Sequence, residues 1–277
     1  YKRQDYDIRV VYKGVKYRMS DPIRLSTEDE QSLSNGDFEG DWSSKTISGL
    51  INGANIFVSR VTLTSNEPVG WSSVNAKTFS NKSNISSTYN TVPSTMKVDG
   101  KTGFGVRLRT VGWDNSAGNT ATICYHASAG KLFLGSYSFD HSNNSEMYNY
   151  GLPFTARPSS VRAQYKYTPY SGDSFKAWAI ILNKENGIET ELGRGQLIKG
   201  DALSNWTELT FPIIYTNLTK KATHMYIVFS SSANCSENES TESDKLKELL
   251  DKGTEVDGYT HHEGSNLYID EVELIYE

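Results

Sequence analysis

Apolar and polar residues alternate with a period of two along much of the chain. In 104–111, FGVRLRTV, Val106 and Leu108 fall on one side of an extended chain, and Arg107 and Arg109 fall on the other. Such alternation is typical of a β-strand that buries one face and exposes the other. Further strand-like segments are 120–126, 131–139, 160–167, 174–182, 207–215, 224–231 and 266–276. Many strands joined by turns and polar loops predict an all-β, two-sheet antiparallel sandwich.

One late segment has helical spacing instead. Leu246, Leu249 and Leu250 recur at helical intervals within 243–253, and Gly253 is placed to end a helix. The segment lies in an acidic, serine-rich insertion between two predicted strands. We therefore predict a short surface helix in a late loop.

Residues 5–19 contain two short strand patterns hinged at Lys13 and Gly14, and the polar, acidic sequence STEDEQS follows them. An isolated hairpin is barely stable in water. These residues therefore either pack on the rest of the chain or end an upstream domain. We predict a division into 1–30, a terminal hairpin with its linker, and 31–277, the main domain. No signal-peptide pattern is present, and we expect any anchoring segment to lie in a longer precursor.

The composition narrows the class of protein. Aromatic residues make up 12% of the 277 residues, and 17 of them are tyrosine, which favours strands. The net charge of −5 argues against a nucleic-acid partner, because such proteins usually carry a concentrated basic face. No run of eighteen apolar residues occurs, and we therefore predict no transmembrane segment. For Cys124 and Cys235, a disulfide and two free thiols both stay open.

Three stretches of the sequence resemble a known family. They are AGKLFLGSY (129–137), GLPFTARPSSVRAQYKYTP (151–169) and GDSFKAW (172–178). The combination of PFTxRP followed by YKYxP is specific. On these motifs the chain, from about Leu33 to Glu277, resembles the putative carbohydrate metabolism domain of Bacteroidota surface proteins. The resemblance implies a jelly-roll β-sandwich akin to carbohydrate-binding modules, located at the cell surface or in the periplasm. An immunoglobulin-like domain commonly precedes this domain in the family, which would account for the hairpin at 5–19.

Two acidic motifs that lie far apart in sequence raise a further expectation. SNGDFEGDW begins at Ser34, and LYIDEVEL begins at Leu267. Several jelly-roll carbohydrate-binding modules begin with NGxFE, end with YIDxV and hold a structural calcium between these two ends. The resemblance thus implies a calcium site at Asp37, Glu39 and Asp270, completed by backbone carbonyls, since calcium takes six to eight oxygen ligands. The alternative is that Asp37 serves the turn and that the carboxylates are solvated.

Tryptophan and its polar neighbours indicate where a glycan would bind, because sugars stack their apolar C–H faces on aromatic rings. Trp71 is interpreted as a structural residue at the start of a strand, and Trp206 as a core residue at a strand edge. Trp113 lies in a predicted turn where its ring is expected to be exposed. Trp178 lies on the polar face of one predicted strand, and the preceding strand has a cationic face. If a hairpin aligns the two faces, they form one surface. The candidate ligand-binding residues are Trp178, Trp113, Arg162, Gln164, Lys166 and Lys176.

Three classes of function remain open. The prediction is a non-catalytic glycan-binding module, and the first alternative is a structural or adhesin-like spacer that binds no sugar. The second alternative is a glycoside hydrolase, which usually needs two carboxylates that flank the bond. Asp140 and Glu146 flank a loop and are catalytic candidates in principle, but their spacing carries no signal for catalysis. Residues 261–263, HHE, are interpreted as a solvated loop, because adjacent histidines point to opposite sides of an extended chain.

Overall fold

The computed structural model describes residues 5–14, 16–26, 29–52, 58–79, 92–113, 126–140, 142–143, 145–235, 248–251, 254–256 and 259–276. In chain order the first elements are β1 (Asp5–Ile8), β2 (Val11–Lys13), β3 (Tyr17–Met19), β4 (Ile23–Ser26), β5 (Trp42–Asn52), β6 (Val58–Pro68), β7 (Ser72–Ser73), α1 (Asn75–Thr78), β8 (Thr95–Asp99), β9 (Phe104–Trp113), β10 (His126–Ser128) and β11 (Lys131–Phe133). Then come β12 (Gly135–Asp140), β13 (Ser145–Tyr150), β14 (Leu152–Pro153), β15 (Ser160–Thr168), β16 (Phe175–Glu185), β17 (Ile188–Lys199), β18 (Leu203–Pro212), β19 (Ile214–Tyr215), β20 (His224–Ser230), β21 (Thr254–Val256), β22 (Tyr259–His261) and β23 (Glu263–Ile275).

Two large antiparallel sheets pack face to face, which confirms the predicted β-sandwich. The six-stranded sheet has the order β10-β9-β23-β15-β18, with β8 paired to β9. The seven-stranded sheet has the order β19-β17-β16-β20-β11-β7, with β14 paired to β20. Strands far apart in sequence are thus neighbours, and the last long strand, β23, lies in the middle of the six-stranded sheet between β9 and β15.

The hydrophobic core lies between the two sheets, and the period-two pattern of each strand supplies it. In β15 every second residue from Val161 to Tyr167 is buried, and in β16 Phe175, Ala177 and Ala179 are buried. The ring centroids of Tyr165 and Phe175 are 5.2 Å apart, so side chains of the two sheets contact each other directly. The residues between these positions therefore face outward from the sandwich.

The segment 131–139, predicted as one strand, is divided at Gly135. Residues 131–133 form β11 in the seven-stranded sheet, whereas 135–140 form β12, which pairs only with β13 as a two-stranded ribbon. Gly135 has φ +144°, and a Cβ there would lie 2.3 Å from the carbonyl oxygen of Asn149. Only glycine fits this bend, which turns the chain out of the sheet. We call β12 and β13 the tyrosine ribbon.

Two further predictions concern the late loop and the first residues of the chain. Of the helix predicted at 243–253 only 248–251 is described, and Glu248 and Leu249 are helical there. The segment at 5–26 forms a hairpin in which β1 pairs with β4 and β2 with β3, and its described side chains are exposed. The domain boundary at residue 30 remains a prediction. Within the described ranges, no helix has the length and apolar character needed to cross a membrane.

Candidate functional site

The sheet topology separates the two sets of residues that were predicted to form one surface. β15 and β16 follow each other in sequence, but β15 belongs to the six-stranded sheet and β16 to the seven-stranded sheet. Arg162, Gln164 and Lys166 therefore face outward on one side of the sandwich, and Lys176 and Trp178 face outward on the other. The predicted hairpin alignment is wrong, because between these two strands the chain passes from one sheet to the other. The role of each residue in binding remains a prediction.

The outer face of the six-stranded sheet, here the six-stranded face, carries a ladder of rings and cations. The Lys166 ammonium lies 4.6 Å from the ring centroid of Trp206 and 4.7 Å from that of Tyr268. Arg162 forms an ion pair with Glu273 across to β23. Trp206 is partly exposed and lies outside the core, so its interpretation as a core residue is wrong. Its ring lies beneath the Lys166 ammonium instead.

The outer face of the seven-stranded sheet, here the seven-stranded face, has a different composition. The register of β17, β16, β20 and β11 arranges its outward residues in three rows. The rows are Ile198, Lys176, Ser230 and Lys131; Gln196, Trp178, Val228 and Phe133; and Arg194, Ile180 and Tyr226. Trp178 is half-buried, and the Lys176 ammonium lies 5.0 Å from its ring centroid. An aromatic ring therefore lies at the centre of this face, beside a cation.

The tyrosine ribbon packs on part of the seven-stranded face and adds rings to it. Tyr150 stacks on Tyr226 with ring centroids 4.9 Å apart, and Tyr148 stacks on Tyr150 at 5.2 Å. Both ribbon tyrosines contact Phe133, which is fully buried although it points away from the core between the sheets. Burial raises the pKa of Tyr226, and its phenol stays neutral. The ribbon thus forms one wall of an aromatic surface whose floor carries Trp178.

Sequence reasoning missed the tyrosines of this surface. Tyr148 and Tyr150 alternate in EMYNY, a signal for two rings on one strand face, but 145–150 is not among the strands predicted from the sequence. Tyr226 lies on the same side of β20 as Val228, two residues away. The missing information was the bend at Gly135, which brings the ribbon over the sheet. Without that bend, these tyrosines cannot be assigned to a common face.

Trp113 is buried, with only 6% of its surface exposed, so the prediction of an exposed ring is wrong. The physical reason is that β9 continues through Trp113 and pairs with β10, which places His126 opposite it. The two rings stack with centroids 4.8 Å apart, and Phe139 of the ribbon contacts the indole edge-on at 5.3 Å. Trp113 therefore supports the base of the ribbon.

A buried ion pair lies beneath the ribbon. Lys77 of α1 donates a hydrogen bond to Glu146 Oε1, and both side chains are at least nine-tenths buried. Burial lowers the pKa of Lys77, while Glu146 opposes that effect. Glu146 is opposite Phe139 in the ribbon, whereas Asp140 is opposite Ser145, so the two carboxylates point to opposite faces. Asp140 and Glu146 therefore do not form the facing pair that glycoside hydrolysis requires.

The two acidic motifs at the ends of the main domain do meet. The backbone N–H of Val272 donates a hydrogen bond to the Gly36 carbonyl at 2.8 Å, and Phe38 and Val272 are buried in the same core cluster. A Cβ on Gly36 would lie 2.4 Å from the Val272 carbonyl oxygen, so only glycine permits this close approach. Residues 36–38 are therefore held against β23, in the middle of the six-stranded sheet.

Backbone N–H groups donate hydrogen bonds to the carboxylates at this junction. Asp270 is fully buried, and its Oδ2 accepts hydrogen bonds from the N–H groups of Lys101 at 2.7 Å and Thr102 at 3.3 Å. Glu39 Oε1 accepts from the N–H of Phe104 at 2.6 Å, in the same turn between β8 and β9. Asp37 Oδ1 accepts from the N–H of Glu39 at 3.3 Å. Burial raises the pKa of Asp270, while hydrogen bonds from Glu271, Lys101 and Thr102 oppose it.

These carboxylates do not fit a calcium site as arranged. Within the described ranges, no group of three or more His, Cys, Asp or Glu side chains could hold a metal ion. Asp37, Glu39 and Asp270 each accept backbone hydrogen bonds, which satisfy the charge without an ion. Calcium remains a prediction of the resemblance alone. Cys235 is buried, and Cys124 lies outside the described residues, so the disulfide and the two thiols both stay open.

The histidine-containing segment at the start of β23 is bound to Asp251 and to β9. His262 Nδ1 lies 3.0 Å from the Asp251 carbonyl oxygen, and Glu263 forms ion pairs with Arg107 and Arg109. Burial lowers the pKa of Arg109, while Glu263 opposes that effect. The side chain of His261 lies outside the described residues. The described members of this segment are therefore engaged in hydrogen bonds and ion pairs.

The fold defines a two-sheet β-sandwich with an aromatic outer face. The family described as "Putative carbohydrate metabolism domain" matches residues 38–191, more than half of the chain, and the protein belongs to this family. The match confirms the family resemblance seen in the sequence. Among curated proteins, none matches the chain.

Solved structures similar to this chain include two Bacteroides proteins described as putative glycoside hydrolases. The protein from Bacteroides thetaiotaomicron VPI-5482 has 18% identity and a TM-score of 0.50 over 100% of this chain and 79% of that chain. The protein from Bacteroides vulgatus ATCC 8482 has 19% identity and a TM-score of 0.49 over 83% of this chain and 99% of that chain. The family 11 carbohydrate-binding module of a Clostridium thermocellum cellulase has 12% identity and a TM-score of 0.37 over 90% of this chain and 97% of that chain. At these identities the likeness bears on the fold alone.

Proposed function

We propose that the chain binds a carbohydrate, without cleaving it, on the seven-stranded face. The observation that carries this proposal is the surface formed by Trp178, Tyr226, Tyr150 and Tyr148. These rings are partly exposed, and two of them come from a separate ribbon that gives the surface a side wall. Pyranose sugars can stack their apolar C–H faces on such aromatic rings. Because the aromatic side chains are held by a sheet, this stacking requires little conformational change in the protein.

Polar groups beside the rings can hydrogen-bond sugar hydroxyls. Gln196 is exposed and directly opposite Trp178 on β17. Arg194 follows in the next row, where Glu191 holds its guanidinium at 2.6–2.9 Å. A planar ring flanked by an amide and a guanidinium is suited to one sugar unit. Stacking on the ring would set the plane of the sugar, and hydrogen bonds to the two polar groups would set its rotation in that plane. The family membership supports a carbohydrate as the ligand, and a cell-surface or periplasmic location agrees with it.

The six-stranded face is a weaker candidate for the same function. Lys166 already occupies the faces of both Trp206 and Tyr268, so a sugar would have to displace the ammonium from two rings. On the seven-stranded face no such double contact is seen among the described residues: Lys176 lies over Trp178 and Lys131 over Tyr148, each over one ring. The two tryptophans thus form a matched pair for a binding experiment.

The test is glycan binding by the wild-type chain and by Trp178→Ala and Trp206→Ala. A glycan array selects a ligand, and titration calorimetry measures the affinity of each variant for it. We expect Trp178→Ala to weaken binding about tenfold or more, and Trp206→Ala to change it less than about twofold. Circular dichroism and thermal unfolding confirm that both variants fold. Equal losses in both variants, or no glycan bound by the wild type, would overturn the proposal and favour a spacer domain.

A further inference from the structure

We propose that the seven-stranded face takes an acidic glycan, whose carboxylate contacts Lys176 while a sugar ring stacks on Trp178. This inference rests on the proposed carbohydrate-binding function and names the class of ligand. Its basis is the charge of the three rows defined above. They contain the cations Lys176, Lys131 and Arg194, and none of their members is acidic; of the three, Arg194 is paired with Glu191, which lies outside the rows. The face is therefore cationic in a protein whose net charge is −5.

Lys176 carries the argument, because its charge is not neutralised within the described part of the chain. The ion pairs of that part do not include Lys176, and its ammonium instead lies 5.0 Å above the Trp178 ring. By contrast, Lys184, farther along β16, is paired with Glu189. A cation on an aromatic ring without a counter-ion attracts a ligand anion, and the same ring provides the stacking surface.

Lys131 strengthens the positive potential from the opposite side. In the row of Lys176, Ser230 lies on the neighbouring strand and Lys131 on the next, so the two lysines are about 10 Å apart at the backbone. The Lys131 ammonium donates a hydrogen bond to the Tyr148 hydroxyl at 3.3 Å, which directs it towards the ribbon wall. Lys131 and Ser230 are both buried, so Lys131 adds to the potential only, and Lys176 is the cation that a ligand carboxylate can contact.

On the six-stranded face, by contrast, carboxylates lie near the cationic side chains. Arg162 is paired with Glu273, and Gln164 is opposite Glu208 on β18 and Asp270 on β23. Exposed carboxylates therefore lie in the rows of Arg162 and Gln164, on one side of Lys166. An acidic polymer would meet the exposed carboxylates of Glu208 and Glu273 there, whereas beside Trp178 it would meet Lys176, and the nearby Glu191 is already paired with Arg194.

The experiment compares acidic polymers with neutral forms of the same polymers. The probes are polygalacturonate, alginate and hyaluronan, each beside its carboxyl-reduced form, in affinity electrophoresis followed by calorimetry. We expect at least one acidic polymer to bind about tenfold more tightly than its reduced form. Raising NaCl from about 0.05 M to about 0.5 M should remove most of that difference, because screening shortens the range of the charges.

Two matched lysine variants locate the effect. Lys176→Met keeps the aliphatic stem and removes the charge, and we expect it to abolish the preference for the acidic form. Lys166→Met makes the same change beside Trp206 on the opposite face, and the preference should persist. Equal losses in the two variants would show a general charge effect and overturn the inference.

The remaining outcomes separate this inference from the proposed function. If reduced polymers bind as tightly as acidic ones, and Trp178→Ala abolishes both, the carbohydrate site stands and the acidic ligand is wrong. If the wild-type chain binds none of the six polymers while it binds a neutral glycan on the array, the same conclusion holds. If it binds no glycan at all, both proposals fail.

Discussion

The two outer faces of the sandwich start from the same pattern of alternating residues and reach different states. On the six-stranded face, most outward side chains of β15 and β23 are partly exposed, Arg162 is paired with Glu273, and the Lys166 ammonium lies over two rings. On the seven-stranded face, the tyrosine ribbon covers Phe133 completely and leaves Trp178 half-buried. One face is therefore an ordinary solvated sheet surface, and the other contains a second packed region beside an accessible aromatic patch. The difference comes from one bend in the backbone, at Gly135.

The largest expected effect tests whether the ribbon-covered region is packed as tightly as the core. Phe133→Ala should lower the free energy of unfolding by about 3–5 kcal/mol, because it removes a fully buried ring that contacts Tyr148 and Tyr150. Tyr268→Ala on the six-stranded face is the matched control and should cost clearly less, since that ring is partly exposed. Urea unfolding measures both. Equal losses would show that the two faces do not differ in packing.

A second prediction compares the ion pairs of the two faces. Glu146→Ala leaves Lys77 buried without its partner and should lower the free energy of unfolding by about 3–5 kcal/mol. Glu273→Ala breaks the exposed pair with Arg162 and should cost no more than about 1 kcal/mol. A small loss for Glu146→Ala would mean that water reaches Lys77 beneath the ribbon.

The pH dependence of the Glu146→Ala variant provides a further check. Burial lowers the pKa of Lys77 in the folded state, so the unfolded chain binds more protons between the lowered value and the ordinary value of 10.5. The free energy of unfolding therefore rises with pH across that window. Relative to the wild type, Glu146→Ala should regain stability as the pH is raised towards 10.5. The Glu273→Ala variant should show no such recovery, because arginine stays protonated.

A smaller effect is expected at the junction of the chain ends, beside the six-stranded sheet. Asp270→Ala removes the acceptor of three backbone N–H groups and should cost about 1.5–3 kcal/mol. Because burial raises the pKa of Asp270, its contribution is greatest below the ordinary value of 3.8 and declines as the pH rises through the raised pKa. The loss should therefore be larger near pH 4 than at pH 7. Asp99→Ala, an exposed residue in β8, is the control.

Chelation separates hydrogen bonding from calcium at the same junction. The hydrogen bonds to Asp37, Glu39 and Asp270 predict the same melting temperature with and without EDTA. The resemblance predicts a decrease, since an ion that binds only the folded chain stabilises it. A decrease that calcium reverses would show that these carboxylates rearrange around an ion.

The smallest effect is expected from removing residues 1–30. The described side chains of the hairpin between 5 and 26 are exposed, and their removal should change the unfolding temperature of the sandwich little. Thermal unfolding of chain 31–277 measures this. Loss of a cooperative transition would place the hairpin within the main domain and refute the predicted boundary.

The sequence by itself determined the fold class and the strand faces. Alternation in segments such as 160–167 fixes which side chains are buried, because a strand has a side-chain period of two, and the structure buries Val161, Ala163, Tyr165 and Tyr167 as predicted. The motifs PFTxRP and YKYxP also identified the family. These features depend on neighbouring residues and are therefore readable from one chain.

Only the tertiary structure decided which faces share a surface. Period-two patterns cannot tell whether β15 and β16 lie in one sheet or on opposite sheets, and this choice separates Lys166 from Trp178. Nor can they show that Trp113 continues a strand, that Gly135 turns the tyrosine ribbon over Phe133, or that Asp270 accepts hydrogen bonds from Lys101 and Thr102. Each depends on contacts between residues far apart in sequence. Such contacts are selected by the packing of the whole core, and local patterns do not contain them.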